Sequence, residues 1–335
     1  MSVRELAALA ERLRDSAPFR SKSDIARVAF AVDPAPRAVK AWREQEPRIW
    51  LGDDTAAIPD GDGYLLLAAE GMLPAFVAQD PYFAGWSSVM VNVNDVAAMG
   101  GHPLAVVDVS FSAPGTSLGR VLAGMRDAGR AYGVPLVGGH TSLVESGGPA
   151  LAVAILGRAE RLTPSFGARP GDVLLSVVDL RGGYRAGFPF WNTTEGRGAP
   201  SLRGDLEALT ALAGTGLVRA CKDVSNAGVA GTVVMMLEAS GAGGVLDVGR
   251  LPRPEGVDLE RWLLTFPSFG FVLAVAADDV RAVQLALEGR GLSCEPAGRV
   301  DATSMVRLAQ GGAEAVLWDL RGQPFTGFGP PPGAR

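Results

Sequence analysis

The chain has 335 residues, 47% of them hydrophobic and 20% charged, a composition suited to globular packing and far from the low-hydrophobicity regime of disorder. A formal net charge of −5 without any run of basic residues excludes a nucleic-acid backbone as the main partner, and no apolar stretch reaches the roughly 18 residues that span a bilayer. The opening MSVRELAALAERLRDS is charged throughout, and the two cysteines, Cys221 and Cys294, have neither CxxC spacing nor the numbers of a disulfide framework, so a cytoplasmic protein with two buried thiols is expected.

At ~150 residues per domain the length suggests two domains. Leu6, Leu9, Ala10 and Leu13 recur at helical spacing, which predicts an amphipathic helix over 2–15. Past Pro34 and Pro36 come a strand at 49–51, an acidic turn at Gly52-Asp53-Asp54 and a strand at 64–69. Asp80 and Pro81 supply an N-cap and a proline at the first helical position, for a helix that runs to Met99 and is stopped by Gly100 and Gly101. A strand at 104–111, a helix at 117–132 and strands at 135–137 and 150–156 complete a first domain, 1–160. The Pro- and Gly-rich stretch 161–171 reads as the crossing to a second domain, 161–329. There, strands are expected at 173–178, 269–275 and around 299–308, and helices at 202–212, at 226–240 closed by Gly241, and at 278–288. Residues 330–335 are expected to be a frayed tail.

Neither common Gly-rich nucleotide signature is present: there is no GxxxxGK[ST], and GAGGVL at Gly241 lacks the third glycine of GxGxxG. A bound nucleotide would therefore be held through metal, because Mg²⁺ takes hard oxygen ligands, commonly one or two carboxylates with phosphate oxygens. Gly52-Asp53-Asp54 offers two adjacent acids on a tight turn, with a solvated capping turn as the alternative. Within 86–99 nearly every residue is apolar or small, except that Ser88, Asn92 and Asp95 share one helical face while Asn94 faces away. A carboxylate on a buried helix is costly unless it is paired or binds metal, so Asp95 is either a metal ligand or a cap or arginine partner. Gly138-Gly139-His140-Thr141 reads as a segment that follows a short strand, where the glycines allow close approach to a ligand; His140 is a metal ligand, a phosphate donor, an acid/base group or a structural residue. Asp223-Val224-Ser225-Asn226 precedes a helix with Gly228 and Gly231 in its first turns, which makes it an anion site at the positive end of the helix or a plain cap.

The segments GDDTAAI, VNVNDVAAMGGHPLAVVDVSF, VPLVGGHTS, ACKDVSNAGVAGTVVMMLEASGAG and SFGFVLAV stand in this order over nearly the whole chain. Together they resemble the superfamily of aminoimidazole ribonucleotide (AIR) synthetase, selenophosphate synthetase, thiamine monophosphate kinase and the hydrogenase-maturation carbamoyl dehydratase, and most of all its uncharacterised AIR-synthase-related members. The resemblance implies an α/β (α+β) PurM-like fold of two domains: a first-domain mixed sheet that forms a barrel across a homodimer, and a second domain whose sheet is covered by helices. It implies ATP and Mg²⁺ as cofactors and a small-molecule substrate. It carries metal ligation to Asp53, Asp54, Glu70 and Asp95, catalysis to Asp95 and His140, and nucleotide contacts to Asp53, Asn92, Gly138, Gly139, Thr141, Asp223, Ser225 and Asn226. Lys22 corresponds to an ATP-covering arm of relatives, with a plain surface lysine as the alternative. The chain departs from the kinase pattern at Glu70, His140 and Asn226, lacks an early reactive cysteine, and ends GFGPPPGAR rather than in a cysteine tail. The implied activity is use of the γ-phosphate of ATP to activate an unidentified small molecule; the alternatives are thiamine monophosphate kinase and a nucleotide-binding regulatory or assembly subunit without turnover. Residues 181–185 and 191–195 either line the acceptor pocket or form a surface loop.

Overall fold

The computed structural model describes residues 1–27, 38–39, 49–50, 52–113, 118–143, 148–185 and 187–329, so the expected tail at 330–335 lies outside the described residues. The chain forms two compact units: unit 1 comprises Met1–Asp53, Thr163–Glu195 and Thr215–Arg335, and unit 2 comprises Asp54–Leu162 and Gly196–Gly214. The crossing at 162/163 lies close to the boundary expected at 160/161, but residues 1–53 and 196–214 each join the unit opposite to the one that a single boundary assigns them.

Unit 1 opens with α1 (Val3–Asp15), α2 (Ala17–Ser23) and the antiparallel pair β1 (Ala38–Val39) and β2 (Ile49–Trp50). A capping box starts α1: Ser2 Oγ accepts from the Glu5 amide at 3.3 Å, and the Glu5 carboxylate accepts from the Ser2 amide at 2.7 Å. Its stripe of Leu6, Leu9, Ala10 and Leu13 is buried, as the spacing predicts.

Unit 2 contains β3 (Ala56–Asp60), β4 (Gly63–Met72), α3 (Pro74–Gln79), α4 (Pro81–Ala98), β5 (His102–Ser112), α5 (Leu118–Tyr132), β6 (Leu136–Leu143) and β7 (Ala150–Ala159), with most of α6 (Ala199–Thr215). Its five strands run in the order β3-β4-β7-β5-β6, antiparallel except for the parallel β5–β6 pair. The sheet is open, with β3 and β6 at its edges, and within this single chain it is not closed into a barrel. Helix α4 covers one face: Val96 packs against Gly157 on β7, and Asn92 bonds to the Val153 carbonyl.

The remainder of unit 1 contains β8 (Val173–Val178), β9 (Gly183–Tyr184), β10 (Phe190–Asn192), β11 (Val218–Asp223), α7 (Gly228–Ser240), β12 (Gly243–Asp247), α8 (Leu259–Leu263), β13 (Phe266–Pro267), β14 (Gly270–Val275), α9 (Val280–Glu288), β15 (Ser293–Asp301), β16 (Met305–Gln310) and β17 (Ala313–Asp319). Seven of these strands make one mixed sheet in the order β11-β14-β8-β15-β12-β16-β17. Its core joins the α1 stripe, Phe19, the apolar α7 and inward residues such as Leu174, Ala220 and Val272. GAGGVL, weighed above as a phosphate loop, is the left-handed C-cap Gly241 followed by β12. Both cysteines are buried free thiols, and among the described residues no helix is long and apolar enough to cross a membrane.

Candidate functional site

In unit 2 the site is built on α4. Asp80 caps it by accepting from the Phe83 amide at 3.3 Å, and Pro81 occupies its first turn. All residues from Ser87 to Ala98 are buried, so its polar stripe must find partners inside the protein. Ser88 Oγ donates to the Gly85 carbonyl at 2.8 Å, and Asn92 Nδ2 donates to the carbonyls of Ser88 and Val153 at 2.8 and 3.2 Å. Asn92 Oδ1, also buried, accepts no hydrogen bond. One turn on, a carboxylate oxygen of the buried Asp95 lies within 4.8 Å of one of the half-buried Asp54. Two carboxylates at that separation repel by about 3 kcal/mol at an effective dielectric near 20, a repulsion that a cation held between them would relieve. Hard acidic oxygens with an unclaimed amide oxygen on the same helix form a donor set that fits Mg²⁺.

The sheet beneath α4 adds a residue that sequence reasoning missed. Cross-strand register aligns Glu70, Val153, Asp108 and Gly139 in one row over β4, β7, β5 and β6. Val153 is buried under α4, so this row lies on the helix-covered face. Asp108 is 6% exposed and accepts from Ser110 Oγ at 2.6 Å, and its carboxylate lies so close over Gly139 that a Cβ there would collide with it. Along β5 the buried positions after Val106 are Asp108, Ser110 and Ser112, whereas Val107, Val109 and Phe111 are 41%, 43% and 37% exposed. The alternation was visible in the sequence, but its polarity is the reverse of a solvated strand. Glu70 shares the helix-covered side at an exposed position near the end of β4.

Gly138-Gly139-His140-Thr141 does not follow a strand: all four residues lie inside β6, paired in parallel with β5. Parallel pairing with β5 extends the strand through both glycines, which the sequence reading took as its end. Gly139 and Thr141 align with Asp108 and Ser110, while Gly138 and His140 align with Val107 and Val109 on the opposite, open face. The His140 ring stands 5.9 Å from that of Phe111, and its Nε2 is 3.0 Å from Ser142 Oγ. His140 and the Asp95 side chain are therefore not brought together on one face of the sheet.

The other expected residues lie in unit 1. Asp53 accepts from the Ser165 amide at 3.0 Å and from Ser165 Oγ at 2.7 Å, one bond to each carboxylate oxygen. Lys22 is half-buried in the last turn of α2. Asp223 is buried at the end of β11, Ser225 is half-buried and Asn226 is exposed. Helix α7 begins at Gly228, two residues later than expected, because Ala227 (φ 79°) and Gly228 (φ 60°) both take the left-handed conformation. Ala227, which has no side chain able to bond, occupies the cap position itself. Trp191, Asn192, Thr193 and Thr194 are buried, whereas Glu195 and residues 181–183 are exposed, and the Trp191 ring meets those of Tyr184 and Trp262 edge-on at 5.2 and 5.6 Å.

The family model described as AIR synthase related protein, N-terminal domain, matches residues 52–159, and that of the C-terminal domain matches residues 169–309. An uncharacterised protein of Synechocystis sp. is 44% identical over 281 residues, 84% of this chain and 87% of that protein. Among solved structures, tt0281 from Thermus thermophilus has a TM-score of 0.65 at 27% identity and covers 86% of this chain and 97% of its own. The Thermotoga maritima PurL complexed with ATP has a TM-score of 0.69 at 20% identity, which shows a shared fold; 84% of this chain is covered, but only 47% of that one.

Proposed function

The chain belongs to the AIR synthase related family, and from that premise we propose that it is an ATP-using enzyme whose Asp54 and Asp95 hold Mg²⁺ and through it the phosphates of the nucleotide. The observation that carries the proposal is the approach of two carboxylates within 4.8 Å at the end of a buried polar stripe, in a chain without a glycine-lysine phosphate cradle. The ATP bound to the Thermotoga PurL of the same fold supports it.

A bound Mg²⁺ would neutralise phosphate charge and leave the terminal phosphorus open to an oxygen of the acceptor. The protein's share is positioning. Asp95 is fixed by α4, Asn92 presents Oδ1 one turn away, and Asp108 and Ser110 line the same face of the sheet. In unit 1, nucleotide contacts are proposed for Lys22, Asp223, Ser225 and Asn226. His140, on the opposite face, stays outside this set. The acceptor is a small molecule, and neither the thiamine monophosphate kinase nor the subunit without turnover gains an observation in its favour.

The open face of the five-stranded sheet supports a homodimer. Leu67, Val107, Val109, Phe111 and Leu156 are all exposed there, an apolar surface that water solvates poorly. A cytoplasmic setting belongs to the same proposal.

Isothermal titration of Mg²⁺ with a non-hydrolysable ATP analogue tests the metal site. Asp95→Asn is expected to abolish binding, with an unchanged circular dichroism spectrum. Undiminished binding by that variant would remove Asp95 from the site.

A further inference from the structure

The Gly52-Asp53 turn, which leads directly into Asp54, is gripped from two sides by the end of α7. On one side, Ser240 Oγ donates to the Ser165 carbonyl at 2.8 Å and accepts from the Ala168 amide at 3.1 Å. Ser165, fully buried, then donates its amide and hydroxyl to Asp53. On the other side, residues 325–329 pass over the same helix end. Phe325 anchors them, fully buried, with its ring 5.4 Å from Phe19 and 4.8 Å from Trp318. The Glu238 carboxylate, itself 5% exposed, accepts from the amides of Phe325 and Thr326 at 2.7 Å, from Thr326 Oγ1 at 2.6 Å and from the Gly327 amide at 3.3 Å. A carboxylate that satisfies three successive amides fixes the path of that segment. The path ends with the Phe328 ring over Gly52, so close that a Cβ on Gly52 would overlap the ring, while Gly52 sits at φ 88°. Only glycine fits both the backbone angle and the ring.

We infer that residues 325–329 are a positioning strap for the turn before Asp54, with Glu238 and Phe328 as positioning residues that act through Gly52 and Asp53. This rests on the proposed metal role of Asp54 and deepens it. Asp53, expected as a ligand, becomes the latch that Ser165 holds, and Asp54 the ligand that the latch aims. A carboxylate must be held within a fraction of an ångström to keep its place in a metal's coordination shell, so loosening the turn weakens metal binding without touching the ligands.

The test compares full-length wild type with Phe328→Ala, Phe328→Tyr and Glu238→Gln by two measurements. The first is Mg²⁺ titration in the presence of the non-hydrolysable ATP analogue. The second is hydrogen exchange of the peptide that spans residues 52–56. Phe328→Ala is expected to raise the Mg²⁺ dissociation constant about tenfold, in the range seen when residues that orient metal ligands are removed, and to speed exchange in that peptide while α4 stays protected. Phe328→Tyr, which keeps a ring over Gly52, should restore both. Glu238→Gln should follow Phe328→Ala; if it does not fold, the Phe328 pair still decides. A merely structural strap would lower thermal stability in Phe328→Ala and leave both readouts at wild-type values, and that result overturns the inference. If wild type itself binds no Mg²⁺-nucleotide, the proposed function and the effect on affinity fail together, whereas exchange still shows whether the strap holds the turn.

Discussion

Asp53 and Asp54 are identical in chemistry and adjacent in the chain, yet their surroundings separate them. Each oxygen of Asp53 meets a donor on Ser165, 112 residues away in sequence, while an oxygen of Asp54 lies within 4.8 Å of one of Asp95. The doublet was legible as an acidic turn, but the division of labour inside it was not, because it depends on a partner that only the tertiary fold brings near. Asp108 escaped notice for a related reason: in DVSFS it reads as the wet side of a strand, and only the packing of α4 makes that side the interior. Gly139 tests this placement. Gly139→Ala drives a methyl into the Asp108 carboxylate and to 2.6 Å from its carbonyl oxygen, an overpacking expected to cost about 1–3 kcal/mol in urea denaturation. Gly138→Ala, which meets nothing within 4 Å, should stay within about 0.5 kcal/mol of wild type.

Among the elements, those with strong punctuation were the most legible. Helix α4 runs between an Asp-Pro start and a Gly-Gly stop, and both ends fall where those residues put them. Removing the side-chain cap with Asp80→Ala should lower stability by about 1 kcal/mol, measured by thermal or denaturant unfolding, with the helix still formed because its burial dominates. The same rule misled at β6, where Gly-Gly sits inside a strand held by pairing with β5. It misled again at the start of α7, where the left-handed Ala227 carries no local signal at all. Stripe-patterned α1 was predictable as a half-buried helix, but the surface it packs on, β17, is more than 300 residues downstream and beyond any local pattern.

For the whole molecule, length alone pointed to two bodies, and the five quoted segments to their family. How the chain is shared between them was not legible: residues 1–53 and 196–214 join their units through tertiary contacts that composition does not encode. The reversed polarity of β5 has its largest effect at this scale, since an apolar sheet face left to water favours self-association. Wild type is expected to sediment at twice the chain mass, and Val109→Arg combined with Phe111→Glu at the mass of one chain, with Mg²⁺-nucleotide binding as the check that the variant is folded. A wild-type protein that sediments as a single chain at micromolar concentration would end the homodimer proposal.

Neighbours along a strand look in opposite directions, so the four letters GGHT at 138–141 are two unrelated pairs written alternately. Even positions belong to the open face and odd positions to the helix-covered face, all of them exposed on this edge strand. In relatives, a histidine exchanged for an acid at position 140 would then report on what leans against the open face rather than on a change of chemistry.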